Sequence, residues 1–150
     1  MKWFSLVLFS LLVVSCTSYS EEDLTRFDQT IREYLDSTNV TMDKTEDGLY
    51  YNIIDEGEGD EYIRFNDQVV FAYKGYHLNG NSFQVVHEND PLTFKVGQLI
   101  IGWQDALMML KKGGKIEIII PPQLAYGEKQ TDLIPQHSIL RYELSVLDVK

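Results

Sequence analysis

Cysteine is almost missing from this chain of 150 residues, and the single one, Cys16, excludes an internal disulfide. Basic charge is scarce as well. Thirteen Lys and Arg against 23 Asp and Glu leave a formal net charge of −10, without the basic footprint that a phosphate backbone requires, so no nucleic-acid partner is expected. His77, His87 and His137 stand too far apart to match a metal-ligand spacing. The chain has no GxSxG, no phosphate loop and no dinucleotide fingerprint. Any catalysis is therefore expected to proceed with no cofactor, no metal and no covalent intermediate. The N-terminal apolar run, Trp3 to Val14, spans about 12 residues and falls short of the ~20 that a membrane-crossing helix needs.

That run has the length of a signal-peptide core, with Lys2 ahead of it and Val13-Val14-Ser15-Cys16 closing it. An aliphatic residue three before a cysteine, with a small residue just before it, resembles the lipobox of bacterial lipoproteins. There the cysteine becomes the lipid-modified N-terminus. An ordinary signal peptide whose cysteine falls there by chance is the alternative. The expected organisation is a signal peptide over 1–15, a lipidated N-terminus with helix and linker over 16–47, and a globular domain over 48–150. Cys16 would then tether the chain to a bacterial cell-envelope membrane, facing the periplasm or in the outer membrane.

After a small polar tether, Glu21-Glu22-Asp23 either serves as a surface-export signal or opens a helix, where negative charge is favoured; the helix is preferred. Leu24, Phe27, Ile31 and Leu35 recur at helical spacing and predict an amphipathic helix whose apolar stripe needs a partner. Asp36 to Asp47 is polar and reads as a linker. From Gly48 the pattern changes to strands: Leu49–Ile54, Val69–Tyr73, Ser82–Val85, Leu92–Phe94 and an alternating Ile139–Val149. Asp55 to Asp60 reads as a solvated acidic turn, and Asn79-Gly80 as a tight one.

The richest stretch is Gly97 to Gly127. Trp103, Leu107 and Leu110 predict a short helix with one apolar face, ended by Lys111-Lys112 and Gly113-Gly114. Ile116 to Ile120 is a β-branched strand, and Pro121-Pro122 stops it because neither residue donates to a ladder. Trp103 and Tyr126, on either side of this helix–strand unit, are expected to face one cavity. Gly75, Gly102 and Gly127 read as turn residues, and His137 as structural. The fold class that follows is α+β: an antiparallel sheet against one short helix, with an added N-terminal helix.

Five segments in order carry a resemblance to a known family: Val70–Gly75, Asn79–Phe83, Gly97–Trp103, Ile120–Gly127 and Ile134–Leu140. Together they resemble the FKBP family of peptidyl-prolyl isomerases over about residues 48–150. The resemblance implies a bent antiparallel sheet wrapped around a short helix, with a proline pocket between them. It places Trp103 on the floor and Tyr73, Phe83, Leu99, Ile134 and Tyr142 on the walls. Leu92 stands where the family often has an aromatic residue. The backbone N–H of Ile100 and the hydroxyl of Tyr126 match the family's two donors to bound peptide-like ligands. Gln84 stands where active members usually carry an aspartate that anchors the tyrosine at the position of Tyr73. The implied partners are proline-containing polypeptide segments and macrolide inhibitors. The implied activity is prolyl isomerisation of extracytoplasmic proteins, with a catalytically weak binding module of an envelope complex as the alternative.

Overall fold

The computed structural model describes residues 19–150; the signal-peptide and Cys16 expectations lie outside the described residues. Helix α1 spans Glu21–Thr38 and starts where the sequence predicts. Ser20 caps it through a reciprocal pair with Asp23, and three acidic residues occupy its first turn, where they complement the unpaired N–H groups. Phe27, Ile31 and Leu35 are buried, whereas Leu24, of the same stripe, is left 38% exposed.

Seven strands follow: β1 (Asp43–Lys44), β2 (Tyr50–Asp55), β3 (Gln68–His77), β4 (Ser82–Val86), β5 (Leu92–Lys95), β6 (Lys115–Ile120) and β7 (Leu140–Val149). They form one antiparallel sheet in the order β1-β2-β6-β7-β3-β4, with β5 also paired to β3. Helix α2, Ile101–Met108, lies against one face of this sheet. Alternation along β6 explains why its isoleucine run is continuous: Ile116, Ile118 and Ile120 pack with α2, while Ile119 packs with Ile31 and Leu35 of α1. The helical stripe of α1 thus finds its partner within the same chain.

Several expectations need correction. The segment expected as a linker contains the end of α1 and strand β1, whose Asp43 and Lys44 pair with Tyr51 and Tyr50. Lys44 also meets Asp28 of α1 at 2.5 Å. Helix α2 stops at Met108, before the Lys111-Lys112 pair expected on its last turn. The segment expected as a solvated acidic turn is the reason. Its backbone, with Ile63 just beyond it, takes the groups that would extend the helix: Lys111 N–H donates to the Glu56 carbonyl at 2.8 Å, and Glu58 N–H and Ile63 N–H donate to the carbonyls of Lys112 and Leu110.

Two glycines read as turn residues lie inside regular structure instead. A Cβ on Gly75, in mid-strand β3, would stand 2.6 Å from the Phe83 ring, and one on Gly102, in α2, 2.6 Å from Ile120 Cγ2. Close approach fixes both positions. Gly127, with φ +60°, is a turn residue as expected.

Candidate active site

The cavity lies between α2 and the sheet, with a volume of about 330 Å³. The Trp103 ring forms its floor and is held edge-on by three others: Tyr73 at 4.9 Å, Tyr142 at 5.1 Å and Phe71 at 5.2 Å between centroids. Each has a local reason to be there. Tyr73 and Phe71 alternate on β3, Tyr142 stands on β7 opposite Gly75, and Trp103 lies in the first turn of α2. Leu92, Leu99, Ile100, Gln84 and Tyr126 complete the expected part of the wall.

Two expected wall residues stand behind it. Phe83 is not on the cavity surface; its ring packs edge-on to Tyr142 at 5.7 Å and against His77 at 5.0 Å. The β3–β4 register shifts between Gly75 and Tyr76, and the bare Gly75 receives the Phe83 ring. Ile134 is buried in the core beneath the same cluster. Both support the wall rather than form it. Conversely, Phe71, Phe94 and Gln98 line the cavity and were not expected. Alternation could have found the two phenylalanines, since Phe71 is two residues from Tyr73 and Phe94 two from Leu92. Phe94 supplies an aromatic surface on the strand where Leu92 leaves a smaller one.

Among the described residues no charged side chain lines this cavity. Burial and the neighbouring Tyr126 phenol push the Tyr73 hydroxyl up to about 12, and burial pushes that of Tyr142 higher still. Both therefore stay neutral at physiological pH. Among the described residues Gln84 makes no hydrogen bond to the Tyr73 hydroxyl. The Trp103 indole N–H is likewise buried without a protein partner among the described residues.

At the rim, Ile100 is the N-cap of α2. Its carbonyl accepts from Trp103 and Gln104, while its N–H precedes the helix and is not needed by it. Gln104 Nε2 donates to the Leu99 carbonyl at 2.7 Å and holds this turn in place. Tyr126 follows a short 3-10 turn, Pro122–Leu124, and its loop closes through His137 N–H to the Gly127 carbonyl at 2.7 Å. His137 adopts φ +57° there, a structural role as expected. Among the described residues no group of three or more His, Cys, Asp or Glu is placed to hold a metal ion. The arrangement can desolvate a compact apolar ring. Among the described residues its lining presents no acid–base pair and no nucleophile.

Comparison with known proteins agrees with this geometry. Residues 59–147 match the family described as FKBP-type peptidyl-prolyl cis-trans isomerase. The chain is 41% identical over 110 residues to the FKBP-type peptidyl-prolyl cis-trans isomerase FkpA of Buchnera aphidicola subsp. Schizaphis graminum, covering 73% of this chain and 44% of that one. It is 40% identical over 104 residues to FkpA of Escherichia coli strain K12, covering 69% of this chain and 38% of the relative. The crystal structure of FkpA from Escherichia coli superposes with a TM-score of 0.74 at 34% identity, covering 87% of this chain and 62% of that one. The chain thus spans less than half the length of the curated relatives it matches.

Proposed function

Because the chain belongs to the FKBP-type peptidyl-prolyl cis-trans isomerase family, we propose that it catalyses cis–trans isomerisation of X–Pro bonds in extracytoplasmic proteins and so assists their folding. The observation that carries this reading is the aromatic cavity between α2 and the sheet, with Ile100 and Tyr126 among its lining residues. A peptide bond rotates over a barrier of about 18–20 kcal/mol, and an X–Pro bond takes tens to hundreds of seconds unaided. Halfway round, the amide loses resonance and part of its dipole, so the twisted state is less polar than either planar isomer. A dry, uncharged pocket favours that state differentially, and this difference is what accelerates the step. A thousandfold acceleration needs only ~4 kcal/mol, within reach of desolvation, pocket shape and one or two fixed donors.

In this reading Trp103 carries the proline ring, Tyr73, Leu92, Leu99 and Tyr142 enclose it, and Ile100 and Tyr126 hold the flanking carbonyls. Phe83 and Ile134 keep Tyr142 and the Tyr126 loop in position. The cavity would also take an FKBP-directed macrolide such as rapamycin. The isomerase domain is residues 48–150. Residues 1–15 act as a lipoprotein signal peptide, and acylated Cys16 anchors the chain to an envelope membrane through residues 16–47. Among the described residues no helix is long and apolar enough to cross a membrane.

The test is isomerisation of a short X–Pro peptide by the protein beside Tyr126→Phe and Leu99→Ala. Acceleration that falls in both variants supports the assignment; none from folded protein removes it. Gln84 favours a second reading, a binding module with little turnover, because it leaves the Tyr73 hydroxyl unanchored. If that is the limitation, Gln84→Asp raises the rate. The anchor is tested by growth with labelled palmitate, which tags the wild type and not Cys16→Ser.

A further inference from the structure

Beside the cavity runs a second concavity of about 980 Å³, and the two share Ile100 and Tyr126 on their walls. These are the residues to which both peptide donors are assigned. A peptide that uses both donors therefore lies against the wall that the two concavities share.

The far wall of the groove lies outside the residues that match the family. That match begins at 59, whereas Tyr19 stands just before the N-cap of α1 and Leu24 in its first turns. Leu24 shares the helical stripe of Phe27, Ile31 and Leu35, yet it is the member that folding leaves 38% exposed. Tyr19 is fixed in place: its hydroxyl pairs with His137 Nδ1 at 2.8 Å, and its ring packs edge-on to Phe27 at 5.2 Å. Pro122 and Ala125 add apolar surface beside them. The groove thus offers aliphatic and aromatic contact from Tyr19, Leu24, Pro122 and Ala125, beside the polar Gln123, Glu128 and Lys129, and shares a wall with the proline pocket.

We propose that α1 completes the substrate site: Tyr19 and Leu24 form a subsite for a bulky apolar side chain adjacent to the proline of the polypeptide substrate. Helix α1 is then a specificity element as well as a structural one. The inference rests on the reading of the cavity as a proline pocket.

The test uses the full chain and paired proline peptides that carry Phe or Gly on either side of the proline. Both kcat/KM and affinity are measured, the latter by chemical-shift changes at the Leu24 methyls. The expected preference for a Phe peptide is about tenfold, the order an added apolar group supplies in a pocket. Leu24→Ser, at an exposed position, and Tyr19→Ser should each reduce that ratio to about twofold or less. A proportional loss on Phe and Gly peptides alike overturns the subsite and leaves a structural role. No preference in the wild type, or Leu24 methyls that do not shift, also overturns it. If folded protein turns over neither peptide, isomerisation fails as the activity, and the affinity ratio still decides the groove.

Discussion

The two faces of the sheet are built from alternate residues of the same strands, yet they are packed differently: the α2 face carries the larger core and the aromatic cavity, the α1 face a small apolar cluster edged by ion pairs. Toward α1, Ile119 packs with Ile31 and Leu35, and the polar groups meet one another. Asp28 accepts from the Tyr50 hydroxyl at 2.6 Å and from Lys44 at 2.5 Å, and pairs with Arg32 at 2.8 Å. Arg141, on the strand that carries Tyr142, joins Glu143 at 2.7 Å and Glu117 at 3.5 Å and lies over the Tyr76 ring. Toward α2, the neighbours of the same residues are rigid rings set edge-on, and the hydroxyls of Tyr73 and Tyr142 are neutral and not anchored. Rings braced edge-on on three sides cannot collapse onto one another as flexible aliphatic chains do, so the aromatic cluster around Trp103 keeps a cavity open beside a close-packed core.

The largest effect should come from the α1 face. Ile31→Ala removes a side chain only 1% exposed and should cost about 2–5 kcal/mol in urea unfolding. The kcat/KM of the folded protein on a Gly-containing proline peptide, which does not use the Leu24 subsite, should stay within about twofold. A comparable loss of activity would break the separation of the faces. Next, Asp28→Ala deprives the Tyr50 hydroxyl and Lys44 of their acceptor and should cost about 1–3 kcal/mol, again without a change in turnover. The third prediction inverts the pattern. Tyr126→Phe should leave stability within about 0.5 kcal/mol but lower kcat/KM about three- to tenfold, the worth of one hydrogen-bond donor.

The smallest effect is read from pH. Asp105 lies on α2 two residues after Trp103, with Oδ2 buried and unpartnered among the described residues. Burial, with Asp47 beside it, pushes its carboxyl up to about 6 from an ordinary 3.8. The folded state therefore holds this proton more tightly than the unfolded chain. Its contribution to stability falls as pH rises from about 4 to about 6 and is level outside that window. Asp105→Asn should gain in melting temperature relative to wild type across that window. A difference that is flat with pH would remove Asp105 as its source.

Much of this was legible in local pattern. The 3.6-residue spacing of Phe27, Ile31 and Leu35, the capping acids of α1, the two-residue alternation of β3 and β7, and the proline stop after Ile120 each depend on neighbours within one turn or one strand. Such patterns survive in sequence because the backbone geometry that creates them is itself local. The motifs of the Gly97–Gly127 stretch even brought Trp103 and Tyr126 to one cavity.

What the sequence left undetermined depends on contacts between residues far apart in the chain. The end of α2 was decided by carbonyl and N–H groups of the 56–63 segment, not by Lys111-Lys112. Phe83 packs on the bare Gly75 beside a register shift, and Leu24 stays 38% exposed while Phe27, Ile31 and Leu35 of the same stripe are buried. In sequence, then, lay which residues are apolar and on which period; the tertiary structure alone chose which are buried, braced or left open. The physical reason is that packing and backbone pairing are settled by competition among distant partners, and no local period records its outcome.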